Sequence, residues 1–321
     1  TLGTMRIALF SLLIGVSVAV EVCYPPCGCF NDDPPFNTRP LPEGWEQAPI
    51  TWLLYTQANR NNPQSVTLPD VTPPSLFDPS KPTEFLIHGW NGSPNSMTLV
   101  RNAILDNFDH NVFVVDWSAG AGRAYYPQSA STTQVTGACS AYVADQLTNM
   151  GSVHCIGHSL GGQTCGYMGK RSQPAGQATM KRVTGLDPAG PWFDSDDIRL
   201  RIDRSDALFV DNIHTNGQAL GLGRIVAHAD FFPNKGDRQP GCNDGGCDHS
   251  ICRDFFAASI TAAAQCDFNA NPCDSKEDAD AGLCNSCSGG DCQKMGWYAD
   301  TMPGEGGYFL TTVAGYPYCD D

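Results

Sequence analysis

The sequence predicts an α/β fold in which helices flank a mostly parallel central sheet, and two patterns carry that prediction. Short runs of β-branched and apolar residues have the composition of strands buried on both faces. Between the second and third runs, apolar residues recur at helical spacing around Val135, Cys139 and Tyr142. Alternating strands and helices indicate βαβ units. The predicted strands cover residues 85–87, 112–115, 153–156, 183–186 and 208–213, with a last short strand over 308–313.

The N-terminal residues have the features of a secretory signal peptide. An apolar run over residues 7–20 follows Arg6 and ends in small residues, which favours cleavage after Ala19. The run is shorter than the ~18–20 apolar residues of a membrane span, and no later segment approaches that length, so we expect no transmembrane segment. Residues 1–19 are therefore assigned to upstream residues and signal, and residues 20–321 to a single domain.

Charge and cysteine content limit the possible partners and the compartment. The formal net charge is −15, and so acidic a chain is not attracted to nucleic acid. The 15 cysteines, behind a signal peptide, indicate several disulfides in an oxidising compartment. Because the number is odd, at least one thiol is unpaired, and we expect it among Cys139, Cys155 and Cys165, which fall in apolar segments.

The motif that carries chemistry is VHCIGHSLGG at residues 153–162. A predicted strand leads directly into Gly-x-Ser-x-Gly, and a helix follows. A nucleophile on such a sharp strand-to-helix turn needs small neighbours two positions away on either side, because a Cβ there would clash. The motif therefore predicts that Ser159 is the nucleophile of an α/β-hydrolase fold.

A serine nucleophile needs a histidine base and a carboxylate that orients the base, in the chain order Ser, Asp or Glu, His. Asp187 ends the next predicted strand and is favoured over Asp211 and Asp230. Among the three later histidines, His249 lies in a loop two residues beyond Cys247, where a disulfide would fix its backbone. His214 and His228 lie in or beside strands and are the less favoured alternatives.

Two backbone N–H groups are needed to stabilise the oxyanion of the reaction. The N–H of Leu160 follows the nucleophile, and the N–H of Trp90 follows the predicted strand that ends in HGW. Apolar loop residues near the predicted site suit acyl chains, although each could equally belong to the core. These residues are Tyr125, Tyr126, Pro191, Trp192, Phe193 and Leu222.

Several blocks in one order resemble the pancreatic lipase family, including its secreted phospholipase A1 members. They include IHGW at 87–90, IGHSLGG at 156–162, TGLDPA at 184–189, FVDNIHT at 209–215 and CSGGDCQKMGWYAD at 287–300. Carried over residue by residue, the family's triad falls on Ser159, Asp187 and His249, and its oxyanion donors fall on Trp90 and Leu160. No cofactor is expected for catalysis.

The resemblance also implies a structural calcium site and a set of disulfides. The side chains of Asp203 and Asp206, with the carbonyl groups of Ile198 and Arg201, align with the family's calcium ligands, and oxygen ligands suit this cation. The implied disulfides are Cys23–Cys29, Cys242–Cys247, Cys273–Cys284 and Cys287–Cys292, whereas pairings of Cys27, Cys252, Cys266 and Cys319 stay open.

Departures from the family pattern shape the expected activity. The sequence ends at Asp321 without the family's C-terminal β-sandwich, so no colipase is expected, and the segment that carries the lid helix is reduced to residues 243–246. Four small or polar residues cannot form an amphipathic helix.

We therefore expect a secreted ester hydrolase that releases fatty acids from glycerolipids at a membrane, micelle or emulsion surface, with phospholipids favoured over triglycerides. The alternative is a catalytically inactive lipid-binding protein that resembles insect yolk proteins; a peptidase is a weaker one. The sequence leaves the oligomeric state open.

Overall fold

One large sheet organises the chain in the computed structural model. The structure describes residues 19–173, 176–177, 179–284, 292–302 and 304–319, so the predicted signal peptide up to residue 18 lies outside the described residues. The strands are β1 (Glu21–Tyr24), β2 (Gly28–Asn31), β3 (Thr51–Tyr55), β4 (Gln64–Thr67), β5 (Thr83–Ile87), β6 (Asn111–Asp116), β7 (Val153–His158), β8 (Arg182–Leu186), β9 (Phe209–Ile213), β10 (Ala229–Pro233), β11 (Asn269–Pro272), β12 (Gln293–Lys294) and β13 (Gly306–Leu310).

Seven parallel strands form the middle of this sheet. Within the described ranges the order is β12-β11-β13-β10-β9-β8-β7-β5-β6-β3-β4, and the strands from β13 to β6 in this order all pair in parallel. The outer strands at both margins pair antiparallel, while β1 and β2 form a separate hairpin. All the strands predicted from apolar runs are present, and the sheet is mostly parallel, as the sequence predicts.

Helices cover both faces of the sheet. The helices are α1 (Thr98–Asn107), α2 (Ser118–Ala121), α3 (Tyr126–Leu147), α4 (Leu160–Arg171), α5 (Gly245–Ser250), α6 (Cys252–Thr261) and α7 (Lys276–Asp280). Successive side chains of a strand point to opposite faces. Accordingly Phe85 and Ile87 pack into a core with α3 and α4, whereas Leu86 packs into a second core with α1 and α6. None of these helices has the length and apolar character of a membrane span.

Helix α3 begins nine residues before the predicted apolar pattern, at Tyr126. Its first half is rich in Ser and Thr, yet most of those side chains are buried. Some of their hydroxyl groups bond within the helix: Thr132 Oγ1 donates to the Gln128 carbonyl at 2.9 Å, and Thr133 Oγ1 donates to the Ala130 carbonyl at 2.6 Å. Because such internal hydrogen bonds remove the penalty of burying a hydroxyl, hydrophobic periodicity does not mark this part of the helix.

Six disulfides join the described residues. Three of them are pairings that the resemblance implies, and three are additional. The fourth implied pair, Cys287–Cys292, includes Cys287, which lies outside the described residues. The six pairs are Cys23–Cys29, Cys27–Cys139, Cys155–Cys165, Cys242–Cys247, Cys266–Cys319 and Cys273–Cys284.

The expectation that the unpaired thiol lies among Cys139, Cys155 and Cys165 is wrong, since all three are in disulfides. Helix α4 folds back against β7 and brings Cys165 beside Cys155, a contact that apolar sequence context does not reveal. Among the described cysteines, the free one is Cys252. It is fully buried, and burial raises the pKa of its thiol, which keeps it unreactive.

Candidate active site

The carboxyl ends of β5 and β7 form the part of the sheet edge at which the predicted site residues lie. Strand β6 follows β5 on one side, whereas β7 returns to the other side of β5. Open α/β sheets bind ligands in the crevice at such a reversal. Ile87 of β5 pairs with Gly157 of β7, so the loops after these two strands begin side by side.

Ser159 lies on a strained turn between β7 and α4, with φ 57° and ψ −120°. A Cβ at Gly157 would lie 2.1 Å from the Gly161 carbonyl oxygen, and one at Gly161 would lie 2.0 Å from the Ile87 carbonyl oxygen. Both positions therefore require glycine, which is the physical basis of the motif. The turn places Ser159 at the N-terminus of α4, where developing negative charge is favoured.

Asp187 and His249, 62 residues apart in sequence, form a buried pair in which Asp187 Oδ2 lies 2.5 Å from His249 Nδ1. The other carboxylate oxygen, Oδ1, accepts the backbone N–H groups of Thr215 at 2.9 Å and Asn216 at 3.2 Å. The carboxylate is thus fixed by β9 and the loop after it, and the imidazole is oriented through Nδ1. This arrangement leaves His249 Nε2 available for a proton transfer.

The segment that carries His249 is a short helix, not the loop that the sequence suggests. In α5, Asp244 is the N-cap and accepts the Cys247 N–H at 2.9 Å, as capping residues commonly do. The Cys242–Cys247 disulfide ties this helix to the preceding turn. The disulfide and the cap together fix the backbone from which His249 extends.

The alternative acids and bases have other partners. Asp211 of β9 forms a two-pronged ion pair with Arg182 of β8, at 2.8 and 2.9 Å. His214 Nε2 lies 2.8 Å from Asp230 Oδ1, and His228 Nδ1 accepts a backbone N–H of β9 at 3.0 Å. These contacts are the ordinary means by which buried charged and polar groups are satisfied, and they do not involve Ser159.

The two predicted oxyanion donors lie in segments that adjoin Ser159, one directly after it in the chain and one in the loop after β5. Leu160 is the first residue of α4, so its N–H has no partner four residues earlier in the helix. Trp90 follows Gly89, where an added Cβ would lie 2.7 Å from Ser159 Cβ. Glycine at this position lets the loop after β5 approach Ser159 closely.

A cavity of about 450 Å³ opens above Ser159 and His249. Of the four residues predicted for the acyl pocket, Tyr126 and Pro191 line it, but Trp192 and Leu222 do not. Leu222 is buried in the core that includes α3 and α4, and Trp192 follows the lining residue Pro191 on a backbone with φ 73°. The lining residues are Trp90, Tyr126, His158, Ser159, Pro191, Leu220, Gly246, His249 and Ser250.

His158 is a lining residue that the sequence analysis does not single out. Its Nε2 donates to the His249 carbonyl oxygen at 2.8 Å, and the two rings lie 4.8 Å apart. Burial, together with the neighbouring His249, holds the pKa of His158 well below its ordinary value, so its ring is neutral. The variable position of Gly-x-Ser-x-Gly gives no signal for this contact, because it depends on where α5 packs.

Three of the residues predicted to bind calcium, Arg201, Asp203 and Asp206, lie together, and a cationic side chain already bonds to one oxygen of each carboxylate. Asp203 caps a short 3₁₀ turn that ends at Asp206. Arg201 Nη1 donates to Asp203 Oδ2 at 2.8 Å, and Lys170 Nζ donates to Asp206 Oδ1 at 2.5 Å. This geometry does not fit a calcium ion, which needs six to eight free oxygen ligands.

Comparison with known proteins identifies the family of this chain. The family model described as Lipase matches residues 20–318. Pancreatic triacylglycerol lipases of Cavia porcellus and Homo sapiens are each 35% identical over 92% of this chain, and 71% and 70% of their own lengths are covered. Pancreatic lipase-related protein 2 of Cavia porcellus is 36% identical over 92% of this chain and 72% of its own length. The chain therefore has the α/β-hydrolase fold and belongs to the lipase family, in which the pancreatic lipases are its relatives.

Proposed function

We propose that this protein is a secreted carboxylic ester hydrolase that releases fatty acids from glycerolipids through an acyl-enzyme. The observation that carries the proposal is the buried Asp187–His249 pair, which opens into the same cavity as Ser159. Six disulfides support secretion, because disulfides persist in oxidising compartments.

In the proposed reaction, Ser159 Oγ attacks the acyl carbonyl carbon while His249 Nε2 takes its proton. Asp187 stabilises the imidazolium that forms, and the N–H groups of Trp90 and Leu160 stabilise the oxyanion. His249 then gives the proton to the leaving glycerol oxygen. A water molecule, deprotonated by the same histidine, hydrolyses the acyl-enzyme and frees the fatty acid.

The surroundings of the cavity favour a lipid substrate. Trp90 and Leu220 line it and are each 42% exposed, and the adjacent Trp192 is 40% exposed. Exposed apolar side chains that cluster at a cavity entrance are typical of surfaces that contact lipid or other apolar partners. Acyl chains would lie along this apolar rim while the ester group reaches Ser159.

The lack of a lid segment favours a substrate with a polar head group. Residues 243–246 form the turn that starts α5, and Gly246 lines the cavity. This turn has no apolar side chain with which to cover the entrance. We therefore propose phospholipase A1 activity ahead of triacylglycerol lipase activity.

We expect the purified protein to hydrolyse phosphatidylcholine vesicles several-fold faster than a triolein emulsion, at matched accessible lipid. The measurement is fatty-acid release, with the released position identified from the lysophospholipid. Faster hydrolysis of triolein would reverse the substrate order. Hydrolysis of neither lipid, nor of a soluble ester, would favour the lipid-binding alternative.

Little interfacial activation is expected, because no lid helix has to open at a lipid surface. The rate with a partly soluble short-chain ester should rise smoothly with concentration through the solubility limit of the ester. A pancreatic lipase with an intact lid, measured alongside, provides the positive control. A sharp rise at the solubility limit would show that another loop acts as a lid.

A further inference from the structure

One lysine lies where the sequence resemblance expects a calcium ion. Lys170 Nζ donates to Asp206 Oδ1 at 2.5 Å and to the Arg201 carbonyl oxygen at 2.8 Å. These oxygens belong to two of the four residues assigned to calcium. A single ammonium group thus bridges a side-chain ligand and a main-chain ligand of the expected site.

The remaining carboxylate oxygens of this turn also have donors. Asp203 Oδ1 accepts from the Ser205 N–H at 3.0 Å and from its hydroxyl at 2.8 Å, and Asp203 Oδ2 accepts from Arg201. Asp206 Oδ2 accepts the Asp203 N–H at 2.8 Å. Two carboxylates therefore face two cationic side chains, so the local charge is already balanced.

Two glycines of helix α4 allow the turn at residues 203–206 to pack closely against the helix beside Lys170. A Cβ at Gly169 would lie 2.2 Å from the Asp206 carbonyl oxygen, and one at Gly166 would lie 2.9 Å from Asp206 Oδ2. The helix backbone therefore packs directly on the turn. Gln163, earlier in α4, accepts the Ile202 N–H at 2.7 Å. Lys170 continues the same helix face, four residues after Gly166, which places its ammonium over the buried Asp206.

We propose that Lys170 supplies, from within the chain, the positive charge that calcium supplies at the corresponding turn of related lipases. A divalent ion would have to displace the ammonium and bring excess positive charge into a neutral cluster. The cation here is covalently attached, so a chelator cannot remove it. The folded state of this protein is consequently independent of calcium.

The test compares thermal unfolding in excess EDTA and in millimolar calcium. The unaltered protein is expected to have the same Tm in both, and calorimetric titration with calcium should show no saturable heat. Binding of calcium to the folded state alone would raise the Tm. A clear rise of the Tm in calcium would overturn the proposal, whatever the variants do.

Two variants of Lys170 test the charge itself. Lys170→Met is expected to lower the Tm in EDTA by about 5–10 °C, because it leaves Asp206 buried without its cation, and calcium should restore part of the loss. Lys170→Arg keeps the positive charge, so its Tm in EDTA should lie close to that of the unaltered protein. Lys294→Met, which removes an exposed pair with Asp267, is the control and should change the Tm little. A Lys170→Met protein as stable as the unaltered one, or equally destabilised in EDTA and calcium, would overturn the proposal.

Discussion

Replacing Ser159 by alanine is expected to lower kcat/KM for a short-chain p-nitrophenyl ester by roughly 10⁴-fold or more. The substitution removes the atom that we propose forms the acyl-enzyme, and the remaining site could then only bind and polarise the ester. The Tm should stay close to that of the unaltered protein, because one oxygen atom is lost from a turn whose backbone is fixed by glycine contacts. Initial rates and thermal unfolding of the same preparation provide the measurement.

The matched control is Ser131→Ala in helix α3. Ser131 is also buried, and its hydroxyl has no hydrogen-bond partner among the described residues, so its removal leaves none of their groups unsatisfied. This variant should keep full activity. A Ser159→Ala protein with activity close to that of the Ser131→Ala protein would reject Ser159 as the nucleophile.

Asp187→Asn is expected to reduce kcat by about 10⁴-fold while changing KM little. The amide can still accept the N–H groups of Thr215 and Asn216, so the fold around it is retained. However, an uncharged group does not stabilise the His249 imidazolium, and an amide N–H facing Nδ1 would favour the wrong tautomer. The measurement is kcat and KM on the soluble ester, with circular dichroism to establish folding.

Asp230→Asn tests whether the effect is specific to the site. Asp230 is equally buried and pairs with His214 at 2.8 Å, but it lies outside the cavity. This variant should lower the Tm and leave kcat per folded molecule unchanged. Equal losses of kcat in both variants would show that the Asp187 effect comes from general disruption and not from catalysis.

The strands that the sequence predicts correctly are those that helices cover on both faces of the sheet. Strands β5 to β9 lie between two helical layers, so their residues are apolar on both faces and form continuous runs that the sequence reveals. The start of α3 was hidden, because Thr132 and Thr133 bury hydroxyls that bond back to the helix. Pairing of Cys155 with Cys165 was hidden for a related reason: a cysteine in an apolar run looks the same whether it is free or bonded.

The candidate site, too, could be predicted from the sequence only in part. Ser159 was predictable because the turn that carries it is constrained by contacts within a few residues, and Asp187 because it ends a strand that the sequence marks. The acyl pocket was predicted only in part, since Leu220 lines the cavity whereas the nearby Leu222 is in the core. Side-chain direction in an irregular loop depends on packing that has no periodicity in sequence.

The sequence by itself determined the parallel sheet and the turn that carries Ser159, because local sterics and two-faced burial leave direct marks on residue order. Only the tertiary structure determined which acidic and basic side chains form pairs. Asp187 reaches His249 across 62 residues, and Lys170 reaches Asp206 across 36. A lone lysine and an Asp-x-x-Asp turn are each common on protein surfaces. Their pairing depends on the packing of α4, which sets the buried Asp206 carboxylate within hydrogen-bonding distance of the Lys170 ammonium.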